Sequence, residues 1–140
     1  MAFVVRSDGT IDASKYGVVP GVDCTVALQT LAGVDMPKNA TIQLPPGKLT
    51  LSATVDFFTG IKNSTHVDHL FLRGAYGKTV LGGTVNGPLV AYNATGTGAS
   101  AEVHVGDVQF ENAHTTGTGL QLESTVGCLI RRCKFNNSHR

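Results

Sequence analysis

The sequence predicts an all-β chain in which short parallel strands stack coil upon coil behind one short helix. Three observations predict it. The 140 residues include 17 Gly, 16 Thr and 16 Val with only 15% charged side chains, a composition suited to pleated surfaces and tight turns. From Thr41 onward the apolar period is two, interrupted by Pro and Gly. Near the C-terminus two segments repeat each other at a fixed offset.

In chain order, residues 1–20 form a turn-rich lead-in ending at Pro20-Gly21, and residues 21–140 form the capped start of the stack. The helix signal follows directly. Asp23 is a capping residue, Cys24, Ala27, Leu28 and Leu31 fall on one apolar stripe, and Gly33 supplies a stop. A helix over Asp23 to Ala32 is too short to stand alone and must pack on something. Ile42 and Leu44 alternate with polar residues, and Pro45-Pro46-Gly47 turns the chain. Leu49, Leu51, Ala53 and Val55 alternate again. Leu70 and Leu72, Val80-Leu81, Thr84-Val85 and Leu89-Val90 continue the pattern up to a loop over 94–101.

The repeat sets Val103 against Cys128, Val105 against Ile130, Val108 against Cys133, Phe110 against Phe135 and Asn112 against Asn137, always 25 residues apart. Stacked parallel rungs, ~4.8 Å apart, would turn this repeat into ladders of like residues, with Asn stacking at the bends. A β-sandwich would want hairpin turns. Asp8-Gly9 precedes the strands, however, and Asn86-Gly87 runs into Pro88.

The stretch from Asp12 to Leu51 resembles the N-terminal part of pectate-lyase-like proteins. The matching residues are Asp12, Tyr16 and Gly17, then Thr25, Ala27 and Leu28 of the helix, then Ile42, Leu44, Pro45 and Gly47. Val18 and Leu49 depart from the usual Ala and Tyr, and the Asp-Gly usual before the helix is missing. The resemblance implies a right-handed parallel β-helix with Leu28 and Leu31 of the cap helix covering its first rung, and about three or four coils behind it. The opening Asp12-Ala13-Ser14-Lys15-Tyr16-Gly17 is most similar to phage tailspikes and tail fibres.

Charge and targeting narrow the function. A net charge of +1 offers no field for nucleic acid or an anionic membrane, and no apolar run approaches the ~20 residues of a membrane span. Three scattered cysteines and a start without a cationic leader fit assembly in a reducing cytosol. No cofactor or metal site is expected. Gly77-Lys78-Thr79 lacks the earlier glycine of a phosphate loop, where Leu72 stands, and is a turn. Gly96, Gly98 and Ala101 precede a strand instead of a helix, so they are a loop. Cys128 and Cys133, with His104 and His139, lack zinc-ligand spacing; the two thiols are expected to be buried in a ladder. His66, His69 and His114 show no ligand spacing either.

Polysaccharide hydrolysis commonly uses two carboxylates, and Asp107, Glu111 and Glu123 are expected on neighbouring rungs of one outer face, as a solvated surface. Arg131, Arg132 and Lys134 form a basic patch of exposed turn residues able to meet acidic sugars. No catalytic machinery is identifiable. The resemblance implies a trimeric tail component that engages host surface polysaccharide alongside other virion tail proteins. The alternatives are a fragment of a secreted polysaccharide lyase or hydrolase, and a non-catalytic carbohydrate-binding module. The chain stops after a rung with no candidate cap, so the sequence is expected to be the front of a longer chain or to be completed by another subunit.

Overall fold

The computed structural model describes residues 9–33, 40–57, 69–93, 102–123 and 127–136. These residues form twelve strands in three sheets, and every strand pair is parallel. Sheet A holds β1 (Thr10–Asp12), β2 (Ala40–Gln43), β5 (His69–Arg73), β8 (Glu102–Gly106) and β11 (Leu129–Arg131). Sheet B holds β3 (Gly47–Leu51), β6 (Thr79–Gly83), β9 (Val108–Asn112) and β12 (Lys134–Asn136). Sheet C holds β4 (Val55–Asp56), β7 (Pro88–Asn93) and β10 (Thr118–Glu123). From β2 onward the chain visits A, B and C in turn and returns to A one strand further along. Parallel neighbours need a long crossover, and here the crossover is the rest of the coil.

The first coil begins earlier than the lead-in boundary at residue 20 suggests. Thr10, Ile11 and Asp12 pair with Thr41, Ile42 and Gln43, and Ile11, Ala13 and Val18 are wholly buried. A strand of three residues is too short to show alternation, which is why the lead-in looks like turns in the sequence. After a 3-10 turn at Ala13–Tyr16, the chain touches sheet B through a single bridge, Asp23 to Thr50. The Cys24 amide donates there to the Thr50 carbonyl at 2.8 Å.

Helix α1 (Thr25–Gly33) then takes the place of a sheet C strand and packs against β4. Asp23 caps it from just outside. One carboxylate oxygen accepts from the Thr25 amide at 2.9 Å and the Thr25 hydroxyl at 2.6 Å, and the other accepts from the Ser52 hydroxyl at 2.6 Å. The predicted stripe faces inward: Cys24, Leu28 and Leu31 have no exposure, while Val26 on the far side is 73% exposed.

Inward residues of successive coils line up. Ile11, Ile42, Leu72, Val105 and Ile130 share one register in sheet A. Leu49, Leu81, Phe110 and Phe135 do so in sheet B, and Val55, Val90 and Leu120 in sheet C. The 25-residue repeat is the register of the last coil, where Val105 meets Ile130 and Phe110 meets Phe135. The two phenyl rings stack at 5.2 Å with 6° between planes, an offset-parallel arrangement favoured by ring quadrupoles.

The thiol expectation needs correction. Cys24 is buried, but Cys128 is exposed and Cys133 only half-buried. Among the described residues nothing stacks beyond β11 and β12, so Ile130 and Phe135 remain 43% and 46% exposed. A ladder position is dry only with a rung on each side of it.

Turns between sheets B and C are fixed by Asn112, whose side chain is fully buried. Its carbonyl oxygen accepts from the Val85 amide at 3.0 Å and the His114 amide at 3.2 Å. Its amide nitrogen donates to the carbonyls of Val85, Gly87 and Thr118 at 2.9, 2.9 and 3.1 Å. Thus β6 ends at Gly83 while Val85, expected in a strand, is buried in a turn that this asparagine secures. Its repeat partner Asn137 lies outside the described residues.

Candidate functional site

The corner between sheets A and B varies in length along the stack and is tightest in the third turn. It takes residues 44–46, then 74–78, then residue 107 alone, then residues 132–133. Turning a strand on one residue demands a left-handed backbone, and Asp107 and Arg132 both adopt it, with φ of 60° and 51°. Backbone pairing continues round the corner through Leu44 to Arg73 (2.8 Å), Gly74 to Gly106 (2.9 Å) and Asp107 to Arg131 (3.1 Å), amide to carbonyl. At Gly74 the coils approach so closely that a Cβ would lie 2.4 Å from the Asp107 carbonyl oxygen.

Side chains organise the outside of this corner. Arg132 reaches back one coil to Asp107, with Nε 2.6 Å from Oδ1 and Nη2 donating to Oδ2 at 3.0 Å. The carboxylate is 6% exposed and the guanidinium side chain 55%. The same guanidinium lies over the Tyr76 ring, 5.4 Å from its centroid, within cation–π range.

Two grooves flank the Asp107–Arg132 pair. One, of about 300 Å³, runs over the outer face of sheet A past Phe71, Arg73, His104 and Arg131. The other, of about 290 Å³, lies beside Tyr76, Gln109 and Lys134. Outward residues in sheet A form columns just as inward ones form ladders. Thr41, Phe71, His104 and Leu129 share one register, and Gln43, Arg73, Gly106 and Arg131 share the next. The Phe71 and His104 rings meet edge to face at 4.3 Å, and Arg73 Nε donates to Gln43 Oε1 at 2.9 Å. Rings, guanidinium groups and amides along a shallow groove suit an extended polar polymer. Aromatic faces cover sugar C–H surfaces while the polar groups meet hydroxyls or charges.

The carboxylate expectation fails in its geometry. Asp107, Glu111 and Glu123 sit on a single coil instead of neighbouring ones, and they lie at the A–B corner, in sheet B and in sheet C respectively. A coil of three sheets carries residues close in sequence onto different faces. Asp107 is held by Arg132, and Glu111 accepts from Gln109 Nε2 at 2.7 Å and lies 3.9 Å from Lys48 Nζ. The basic patch is also divided. Arg131 lines the sheet A groove, Lys134 the second, and Arg132 stands between them, so two of the three lie in strands rather than in a turn.

Gly77-Lys78-Thr79 leads from a turn into β6; the Thr79 hydroxyl is buried and donates to the Pro45 carbonyl at 2.9 Å. Gly96, Gly98, Ala101, His66 and His139 lie outside the described residues. His69 begins β5, and His114 accepts from the Thr116 amide through Nδ1 at 3.1 Å. Among the described residues no group of three or more His, Cys, Asp or Glu side chains is placed to hold a metal ion. The sequence reading missed Phe71, Arg73 and Tyr76. Phe71 and Arg73 meet their neighbours at offsets of 30 and 33 residues, the next step of each column is 25, and Tyr76 meets Arg132 at 56, so no fixed period exposes the columns.

Burial and hydrogen bonding set the unusual acidities. Hydroxyl groups of Ser52 and Thr25 and the Thr25 amide hold Asp23 down at about 2. Desolvation raises the Cys24 and Cys133 thiols and pushes the Tyr92 phenol up. No helix among the described residues is long and apolar enough to cross a membrane.

No family model matches the chain, and no curated protein matches it in sequence. Its three-sheet architecture does have a match among solved structures, in the ORF18 protein of Geobacillus virus E2. The fold is shared with a phage protein. The TM-score is 0.71 at 13% identity, over 91% of this chain and 25% of the phage chain. The chain therefore spans about a quarter of that protein's length. At this identity the likeness speaks for the fold.

Proposed function

We propose that this chain is the capped front of a right-handed parallel β-helix in a phage virion tail protein, and that its A–B corner grips polysaccharide on the host surface. The observation that carries the reading is the pair of grooves either side of Arg132, furnished with Phe71, His104 and Tyr76 as ring surfaces and Arg73, Arg131 and Lys134 as polar arms. The visit to three parallel sheets in constant order supports the β-helix, and the likeness to a phage-encoded chain supports the virion setting.

The tail protein would be a trimer. Each groove is shallow and binds weakly alone, and three parallel copies raise the effective concentration of sites facing one glycan. Binding of purified host surface polysaccharide to the immobilised chain tests the reading. Measurable binding that weakens in both Phe71→Ala and Tyr76→Ala supports it. Absence of binding, or binding indifferent to both substitutions, overturns it. Light scattering of the intact virion protein tests the assembly, where a stable monomer removes the trimer.

A further inference from the structure

We propose that Gly106 is the floor of an oxyanion subsite, in which Arg73 and Arg131 close from either side on a carboxylate or phosphate carried by a glycan. The inference rests on the polysaccharide reading above and names the ligand chemistry of the same corner.

The argument starts from the outward column Gln43, Arg73, Gly106, Arg131. Two arginines stand two rungs apart, ~9.6 Å at ~4.8 Å per strand, and the residue between them has no side chain. The opening is therefore one rung wide. Guanidinium arms are long enough to reach over such a gap when an anion draws them in, and guanidinium pairs favour carboxylate and phosphate through paired N–H donors.

Nothing in the fold explains the glycine. Gly106 is absent from the left-handed positions of the chain, and a Cβ there would meet only the Arg131 carbonyl oxygen at 3.7 Å, an ordinary contact. Gly74 at the same corner is the contrast, since its Cβ would collide with backbone at 2.4 Å. Glycine inside a strand weakens it, so this position gives up strand stability and keeps the column open.

The arginines are ready for a ligand. Gln43 holds Arg73 through Nε at 2.9 Å. Among the described residues neither Arg73 nor Arg131 has a carboxylate partner, because the acid of this corner, Asp107, is committed to Arg132. His104 and Phe71 form the adjoining wall, where a sugar ring attached to the anion would rest.

The test compares the unaltered chain with Gly106→Thr, Arg73→Gln and Arg131→Gln against four immobilised polymers: polysialic acid for carboxylate, a glycerol-phosphate polymer for phosphate, neutral dextran, and host surface polysaccharide. The expected result is binding to one or both anionic polymers and not to dextran, weakened about tenfold or more by each substitution and by added salt. Whichever anionic polymer binds identifies the natural group. Gly106→Thr is expected to melt no lower than the unaltered chain, because threonine favours strands. Unchanged anion binding in Gly106→Thr, or equal binding to dextran, overturns the subsite. Should that variant fail to fold, unchanged binding in Arg131→Gln does the same. Host polysaccharide bound without either anionic polymer defeats this inference and leaves the functional reading standing. Anion binding without host polysaccharide does the reverse.

Discussion

Asp107 and Arg132 occupy the same corner of successive coils, each with a left-handed backbone, and are joined carboxylate to guanidinium. Two strained positions 25 residues apart thus hold each other in place. The arrangement explains how β8 turns into β9 on a single residue without glycine.

The first prediction separates backbone from charge. Arg132→Ala keeps a side chain in the left-handed region and strips the buried carboxylate of its partner, a loss of about 1–3 kcal/mol. Arg132→Gly loses the same partner but relieves the backbone, so it is expected to be more stable than the alanine variant by about 1 kcal/mol. Urea midpoints of the two variants provide the comparison, and equal midpoints would show that the corner carries no strain.

Asn112 is the second. Its side chain is fully buried and makes five hydrogen bonds to two turns, and Asn112→Ala strips the amide and carbonyl of Val85 of the buried bonds it supplies. A cost of about 3–5 kcal/mol is expected. Thermal denaturation checks it, and a fall in Tm of a degree or less would show that the turns hold without the asparagine.

Acid sensitivity is the third. The folded state holds Asp23 at about 2 against an ordinary 3.8, so its contribution is fully present above about pH 4 and disappears as pH falls toward 2. A stability profile over that window is expected to slope less in Asp23→Asn than in the unaltered chain. Parallel slopes would mean that the helix cap does not contribute.

The fourth concerns the helix. Leu28 is wholly buried on the inner stripe of α1, and Leu28→Ala is expected to cost about 2–5 kcal/mol. Leu28→Asp puts a charge in the same place and is expected to aggregate. Light scattering and melting curves report both, and a soluble Leu28→Asp chain of unchanged Tm would show that α1 does not cover the core.

Sequence pattern located the strands well because alternation in Leu49–Leu51 and Val103–Val105 is a local property of a half-buried strand. The 25-residue repeat gave the register of the last coil because its corner is too short to hide an insertion. It did not reveal the site. The groove brings Phe71 beside His104 and Arg73 in line with Arg131, and that juxtaposition depends on how many residues each earlier coil spends between strands. The helix was legible through Asp23 and its stripe, whereas β1 was not, since three residues of strand leave no periodic trace. Cys128 misled for a different reason: sequence shows which way a side chain faces, but not whether another rung covers it.

The constant order of the three sheets has an evolutionary consequence. Turns from A to B are as short as one residue and are locked by Asp107 and Arg132, whereas the stretches between sheet C and sheet A span residues 57–68, 94–101 and 124–128. Doubling such a stretch costs only about 0.6 kcal/mol in closure entropy, and it shifts no ladder, because each returning strand finds its register on the strand beneath. New sequence can therefore accumulate along one seam of the molecule while the A–B corner stays unaltered. An insertion between β7 and β8 is thus expected to be carried without disturbing the grooves.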